Sequence, residues 1–240
     1  MSANETKVKA IVLGGIDYKE KDKLVTLFTL EHGIVSVIFR GVKNANAKLK
    51  SAKEMFSFGD FIFLDGKFKT VISADIIDSF FDITKDIKKY YIACAIIEIV
   101  KAILPQGDVN SELFLNTLKS LKLLAYETVD PLIVLNKFLI CAFEGFGYKF
   151  DTNVCNNCGI TLLNKKYMNL NYGDITCSNC KVGEYIELSK PVYSVIRLFS
   201  ITDFDKILTL KIPEQINRQV YEILKLNFYN RFNKIMLKIL

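Results

Sequence analysis

A single histidine, His32, stands in a chain of 240 residues. It precedes Gly33 in what reads as a strand-to-strand turn, and with glycine after it the His-x-Glu element of zinc deaminases is missing. No glycine-rich phosphate cradle is present, which argues against an ATP-driven enzyme. Of the 32 basic residues only Arg40, Arg197, Arg218 and Arg231 are arginine. Lysine meets phosphates as a mobile point charge, whereas arginine is the better reader of base edges. Long apolar runs are lacking too: YYIACAIIEIV is broken by Glu98, and PLIVLNKFLICAF by Asn136 and Lys137. Neither reaches the roughly 18–20 uninterrupted residues of a spanning helix. The opening MSANETKVKAIVLGG has no charged-then-apolar leader layout. These absences predict a soluble, cytoplasmic protein with no membrane partner.

Half of the residues are hydrophobic and 24% are charged, a globular composition rather than a disordered one. The formal net charge of +6 permits a polyanionic partner without requiring one. There is neither an internal repeat nor a low-complexity linker.

Six cysteines are present. Cys94 and Cys141 lie in apolar helical stretches and read as small buried hydrophobes. Cys155, Cys158, Cys177 and Cys180 have the layout C-x2-C-x18-C-x2-C, in which two tight turns bring four sulfurs onto one ion. Asn156, Asn157, Gly159, Ser178, Asn179 and Gly183 supply the turn chemistry. Four thiolates close a tetrahedral shell, whereas a catalytic zinc keeps one position open. The pattern predicts a structural Zn2+ element at about 151–187. A redox pair or disulfides suit this spacing and a reducing compartment less well.

Residues 7 to 79 carry short β-branched and aromatic runs: VKAIVL, LVTLFTL, IVSVIF, FIFL and TVISADII. They are separated by GGIDYKEKDK, EHG, the long GVKNANAKLKSAKEMFSFGD, and DGKFK. Five short strands suit a small barrel of the oligonucleotide-binding (OB) type, although an SH3-like barrel or a meander would read much the same. From about residue 84 the apolar period becomes helical. A central helix ends at Pro105-Gln-Gly. A second is capped by Asn110 or Ser111, and a third by Asp130 with Pro131 at its first turn. SKPVYSVIRLFSI and a helix from about 213 follow, the latter striped by Val220, Leu224, Phe228, Phe232, Ile235 and Ile239. The expected class is α+β: an N-terminal five-stranded OB-type barrel at 1–80, then an α-helical domain at 81–240 bearing the zinc element. The barrel is expected to pack on the helices.

Between His32 and Glu54 there is no acidic residue, and Arg40, Lys43, Lys48, Lys50 and Lys53 fall there. A basic loop leaving a barrel strand can follow a phosphate backbone and release counterions. Lys7, Lys9, Lys67 and Lys69 flank it, and Tyr18, Phe39, Phe56 and Phe58 lie near in sequence as candidate stacking rings. The bland readings are a solvated loop and core phenylalanines.

The block KAIVLGGIDYKEKDKLVTLFTLEHGIVSVIFRGVK, with Asp17, Tyr18, Glu20, Asp22, Leu24, His32, Gly33, Arg40 and Gly41, resembles the opening of the bacterial RecO recombination mediators. ILPQGDVNSELF, EGFGYKFDTNVCNNCG and the second cysteine pair follow in the family's order. The resemblance implies an OB barrel, a helical domain and a structural zinc. It also implies binding to single- and double-stranded DNA and strand annealing. The implied partners are RecR, the C-terminal tail of single-stranded DNA-binding protein and, indirectly, the RecA filament, with a nucleoid-associated location. The family's basic loop is often arginine-rich, whereas here it is rich in lysine and asparagine.

The expected function is a non-enzymatic DNA-binding and annealing mediator that helps load the recombinase onto coated single strands. Two alternatives remain: a zinc-dependent enzyme on nucleic acid, and a helical interaction scaffold with incidental DNA contact.

Overall fold

The computed structural model describes residues 4–44, 48–49, 51–66, 68–148, 153–163 and 165–232. Strands β1 (Glu5–Tyr18), β2 (Asp22–Thr29), β3 (Gly33–Phe39), β4 (Phe58–Leu64) and β5 (Thr70–Asp78) close into a barrel in the order β1-β2-β3-β5-β4. All pairings are antiparallel except β3 with β5, which meet in parallel at Ile38 and Thr70.

The two-residue period of β1 sorts its side chains between two cores. Val8, Ala10 and Val12 point into the barrel, among Val25, Leu27, Val37, Phe39, Phe61 and Phe63. Ile11 and Leu13 point outward and join Phe28, Ile34, Phe56 and Phe58 in a second core shared with the helices. The strand runs five residues past Leu13, through a Gly-Gly pair that the sequence reads as a break. A bulge falls between Val12 and Gly14, and a Cβ on Gly15 would sit 2.8 Å from the Leu24 carbonyl oxygen. The glycines therefore continue the strand through a bend.

The described residues of the 41–55 connection are packed more closely than a free basic arm. Val42 and Ala52 are buried in the barrel core with Leu49 against them, and Ser51–Lys53 form a 3-10 turn.

Five helices follow: α1 (Ile87–Ile103), α2 (Ser111–Tyr126), α3 (Pro131–Gly145), α4 (Lys190–Ile201) and α5 (Glu214–Phe232). Asp86 caps α1, accepting from the Lys88 and Lys89 amides, after a 3-10 turn at Phe81–Lys85 that occupies the expected start. Asn110 accepts from Leu113 at 2.8 Å, and Asp130 from Leu132 at 3.0 Å with Pro131 beside it. Caps of this kind contribute about 1 kcal/mol each. The α3–α5 contact is pinned by Asn136, which donates to the Asn217 carbonyl at 2.9 Å, and by Asn217, which donates to Asp130 at 3.0 Å.

The barrel docks on α1 and α2 through aromatic side chains. Phe114 meets Phe28 edge-on at 5.2 Å, and Phe56 meets Tyr90 at 5.9 Å. Gly33 (φ 62°) lies under the 105–108 turn, where Gly107 donates to the Ile34 carbonyl at 3.2 Å. Strands β6 (Lys166–Asn169), β7 (Ile175–Thr176) and β8 (Tyr185–Leu188) form a small sheet in the order β7-β6-β8. Among the described residues, no helix is long and apolar enough to cross a membrane.

Candidate metal centre and nucleic-acid interface

The small sheet frames the four cysteines. Cys155 opens a turn closed by its amide donating to the Ile160 carbonyl at 2.8 Å and by Gly159 donating to the Cys155 carbonyl at 2.8 Å. Gly159 (φ 71°) holds the left-handed conformation that this tight return requires. Cys177 follows β7 directly, and Cys180 donates back to its carbonyl at 3.2 Å. The four sulfurs lie within 4.8 Å of one another, with Cys158 and Cys177 4.0 Å apart. A tetrahedron with metal–sulfur bonds near 2.3 Å has edges of about 3.8 Å, so the set fits one ion with small adjustment. The Cys177 amide donates to the Cys155 sulfur at 3.4 Å, a bond that favours thiolate.

Burial pushes the Cys155 thiol up, yet the amides of Cys177, Cys158 and Asn157 outweigh it and bring it down to about 6. The Cys158 and Cys177 thiols beside Cys180 push that group up to about 12. Crowded sulfurs resist joint ionisation, and a divalent cation is the counter-charge that lets all four ionise. With four protein ligands no coordination position is left for water or substrate. The cluster is tied to the helices: Leu162, Met168, Ile175 and Leu188 are buried with it in the helical core. Asn227 of α5 donates to the carbonyls of Asn169 and Leu170 at 3.3 and 3.2 Å.

The candidate cations fall into three groups on the barrel. Lys7 and Lys9 of β1 reach Asp60 of β4 at 3.6 and 2.9 Å. Lys69 pairs with Asp65, whose other oxygen accepts from the Thr6 hydroxyl at 2.7 Å. Lys43 reaches Asp17 at 3.0 Å, and its amide and ammonium also bond the Lys21 and Lys19 carbonyls at 3.1 and 3.5 Å. Asp17 is held below the usual carboxylate range first by the Lys43 hydrogen bond, with Lys43, Lys23 and Lys53 adding their charge. Lys53 is the least exposed of these lysines, 15% at its side chain, and pairs with Glu54. Arg40 and Lys48 are exposed, and neither has an ion pair among the described residues. Lys50 and Lys67 lie outside the described residues.

Two sequence expectations change here. Phe39, Phe56 and Phe58 are at most 8% exposed and serve the two cores, so they cannot stack on a ligand. Phe39 points into the barrel core, and Phe56 and Phe58 point into the core shared with the helices, so burial takes all three rings. Conversely, Lys19, Lys21 and Lys23 of the β1–β2 hairpin stand beside Lys43 and were missed, because Asp17, Glu20 and Asp22 interleave with them in sequence.

The chain is thus an α+β protein in which a closed barrel precedes helices and a four-cysteine cluster, and comparison with known sequences gives its family. The profile "Recombination protein O N terminal" matches residues 1–80, and "Recombination protein O C terminal" matches residues 84–231. The chain belongs to the RecO family. Similar proteins named "DNA repair protein RecO" occur in Clostridium novyi (28% identity, covering 95% of this chain and 90% of the relative) and Thermoanaerobacter sp. (27%, covering 91% and 89%). A third, from Clostridium kluyveri, is 26% identical over 92% of this chain and 86% of the relative.

Proposed function

We propose that the protein is a non-enzymatic DNA-binding and strand-annealing mediator of recombinational repair. The observation that carries this reading is the gathering of Lys23, Lys43 and Lys53 around Asp17, with the Lys19 and Lys21 carbonyls bonded to Lys43 and with Arg40, which has no ion pair among the described residues, at the adjoining end of β3. An annealer has to neutralise two phosphate backbones while leaving the bases free to pair. Mobile lysines on an open surface suit that task better than an enclosed, base-specific pocket. The names of the relatives point to the same process.

We read the barrel as OB-type, on the strength of its five strands and their closing order. We read residues 1–80 and 81–240 as its two functional units. The principal phosphate contacts on this reading are Arg40, Lys43, Lys48, Lys50 and Lys53, with Lys7, Lys9, Lys67 and Lys69 flanking. The cysteine set is read as a structural Zn2+ site: its shell is closed, which disfavours the zinc-enzyme alternative. RecR, the acidic tail of single-strand-binding protein and, through recombinase loading, RecA are the partners proposed, in a cytoplasmic, nucleoid-associated setting.

The test is fluorescence anisotropy on labelled single- and double-stranded oligonucleotides across ionic strengths, paired with an annealing assay without nucleotide. The double variant Lys43→Glu/Lys48→Glu should weaken binding and flatten the slope of log affinity against log salt by about 0.7–0.9 per lost contact. Unchanged binding at every salt concentration, or no annealing by the wild type, would refute the reading.

A further inference from the structure

Phe68 stands in water on the same side of the barrel as Arg40, whose guanidinium has no ion pair among the described residues. Phe68, in the β4–β5 hairpin, is 54% exposed, whereas Phe39, Phe56, Phe58, Phe61 and Phe63 are all buried. A single exposed apolar side chain is ordinary, and Ile16 and Ile77 of the same barrel are more exposed; what sets Phe68 apart is the cation that shares its cleft. Phe68 and Arg40 line the same open cleft of about 500 Å3, together with Leu64, Asp65, Gly66 and Thr70. That volume is in the usual range for small-ligand sites, about 300–1,000 Å3.

The backbone presets both groups. Ile38 donates to the Lys69 carbonyl at 2.8 Å and pairs with Thr70, which fastens the hairpin to the end of β3. Two residues on comes Arg40, and Gly41 behind it donates to the Asp22 carboxylate at 2.8 Å. The one carboxylate in the cleft, Asp65, is already engaged by Lys69 and Thr6, which leaves the guanidinium available to a ligand. An aromatic face and a guanidinium plane, with an apolar wall at Leu64 and a hydroxyl at Thr70, are the elements that hold a planar heterocycle.

We infer that Arg40 and Phe68 form a stacking subsite for one unpaired nucleobase, which makes this end of the barrel selective for single strands over duplex. A base in a duplex is covered on both faces by its neighbours and cannot enter. The inference rests on the DNA-binding reading above and deepens it.

The chain contains no tryptophan, so Phe68→Trp installs a single reporter. Its emission should change on adding a single-stranded oligothymidine and stay constant with a blunt duplex of equal length. In anisotropy, Phe68→Ala should lower single-strand affinity about tenfold, with duplex affinity held within about twofold and the salt slope unchanged. Phe68→Tyr should retain binding, and an abasic oligonucleotide should bind wild type and Phe68→Ala alike. Because Phe68 is exposed, the variants should melt as wild type does. If the wild type binds neither form of DNA, the functional reading fails and this inference with it. If the wild type binds but Phe68→Ala loses both forms equally, or neither, or if the tryptophan signal ignores bound single strand, the subsite alone is refuted.

Discussion

Gly33 and Gly107 provide a matched pair for measuring how firmly the barrel is seated on the helices. Both occupy positive φ, 62° and 87°, so alanine at either costs about 1–2 kcal/mol in backbone strain. Their surroundings differ. A Cβ on Gly33 would stand 1.9 Å from the Asp108 carbonyl oxygen, while a Cβ on Gly107 would meet nothing within 4 Å. Gly33→Ala must therefore push the 105–108 turn away, adding about 1–3 kcal/mol of overpacking. It also endangers the Gly107–Ile34 hydrogen bond, about 1 kcal/mol more. The expected losses are about 3–6 kcal/mol for Gly33→Ala and about 1–2 kcal/mol for Gly107→Ala. For a chain of this size, the gap of about 2–4 kcal/mol corresponds to roughly 4–16 °C in melting temperature. Calorimetry on the two variants reads it directly. Equal destabilisation would refute the close seating of β3 against the turn.

Elemental analysis should find one zinc per chain, lost in Cys177→Ser. Because Leu162, Met168, Ile175 and Leu188 are buried with the cluster, releasing them would forfeit about 1.5–3 kcal/mol each. A metal-free variant that melts like wild type would overturn the structural role. Asp17→Asn frees Lys43 from an exposed pair and removes a charge that repels phosphate, so oligonucleotide affinity at low salt should rise about two- to fivefold; a fall would contradict the competition. Tyr126 donates to Asp78 at 2.6 Å, and that bond, then burial, pushes its phenol up to about 12. A raised phenol favours the fold below its unfolded value near 10, and the benefit is lost as pH climbs towards 12. Tyr126→Phe should therefore remove that part of the alkaline destabilisation, read by denaturation at pH 9 and 11.5, and an unaltered difference would disprove it.

Local chemistry made much of the helical part legible. Asn110, Asp130 and Pro131 mark helix starts by requirements that neighbouring residues alone impose, and the structure places each where the sequence does. The strands were legible in number, but their closing order and the reach of β1 were not, since pairing is non-local and glycines that bend a strand look like glycines that end one. The sheet around the cysteines was missed because strands of two to four residues are too short to display a period. The four thiols were legible because their spacing encodes their convergence. The charge pattern was legible only in part. The carboxylates that meet the lysines come from distant strands, as with Lys9 and Asp60 at a separation of 51 residues, and only folding brings them together.

The first strand faces three surroundings along its length: lysines towards solvent at its start, aliphatic groups within the barrel, and others pressed into the helices further on. Inserting or deleting one residue near its start would exchange these roles, driving ammonium groups inward and greasy ones out. Evolution can therefore retune the charged exterior residue by residue but cannot slide it, and the spacing between Lys9 and Leu13 should tolerate substitution far better than any change in length.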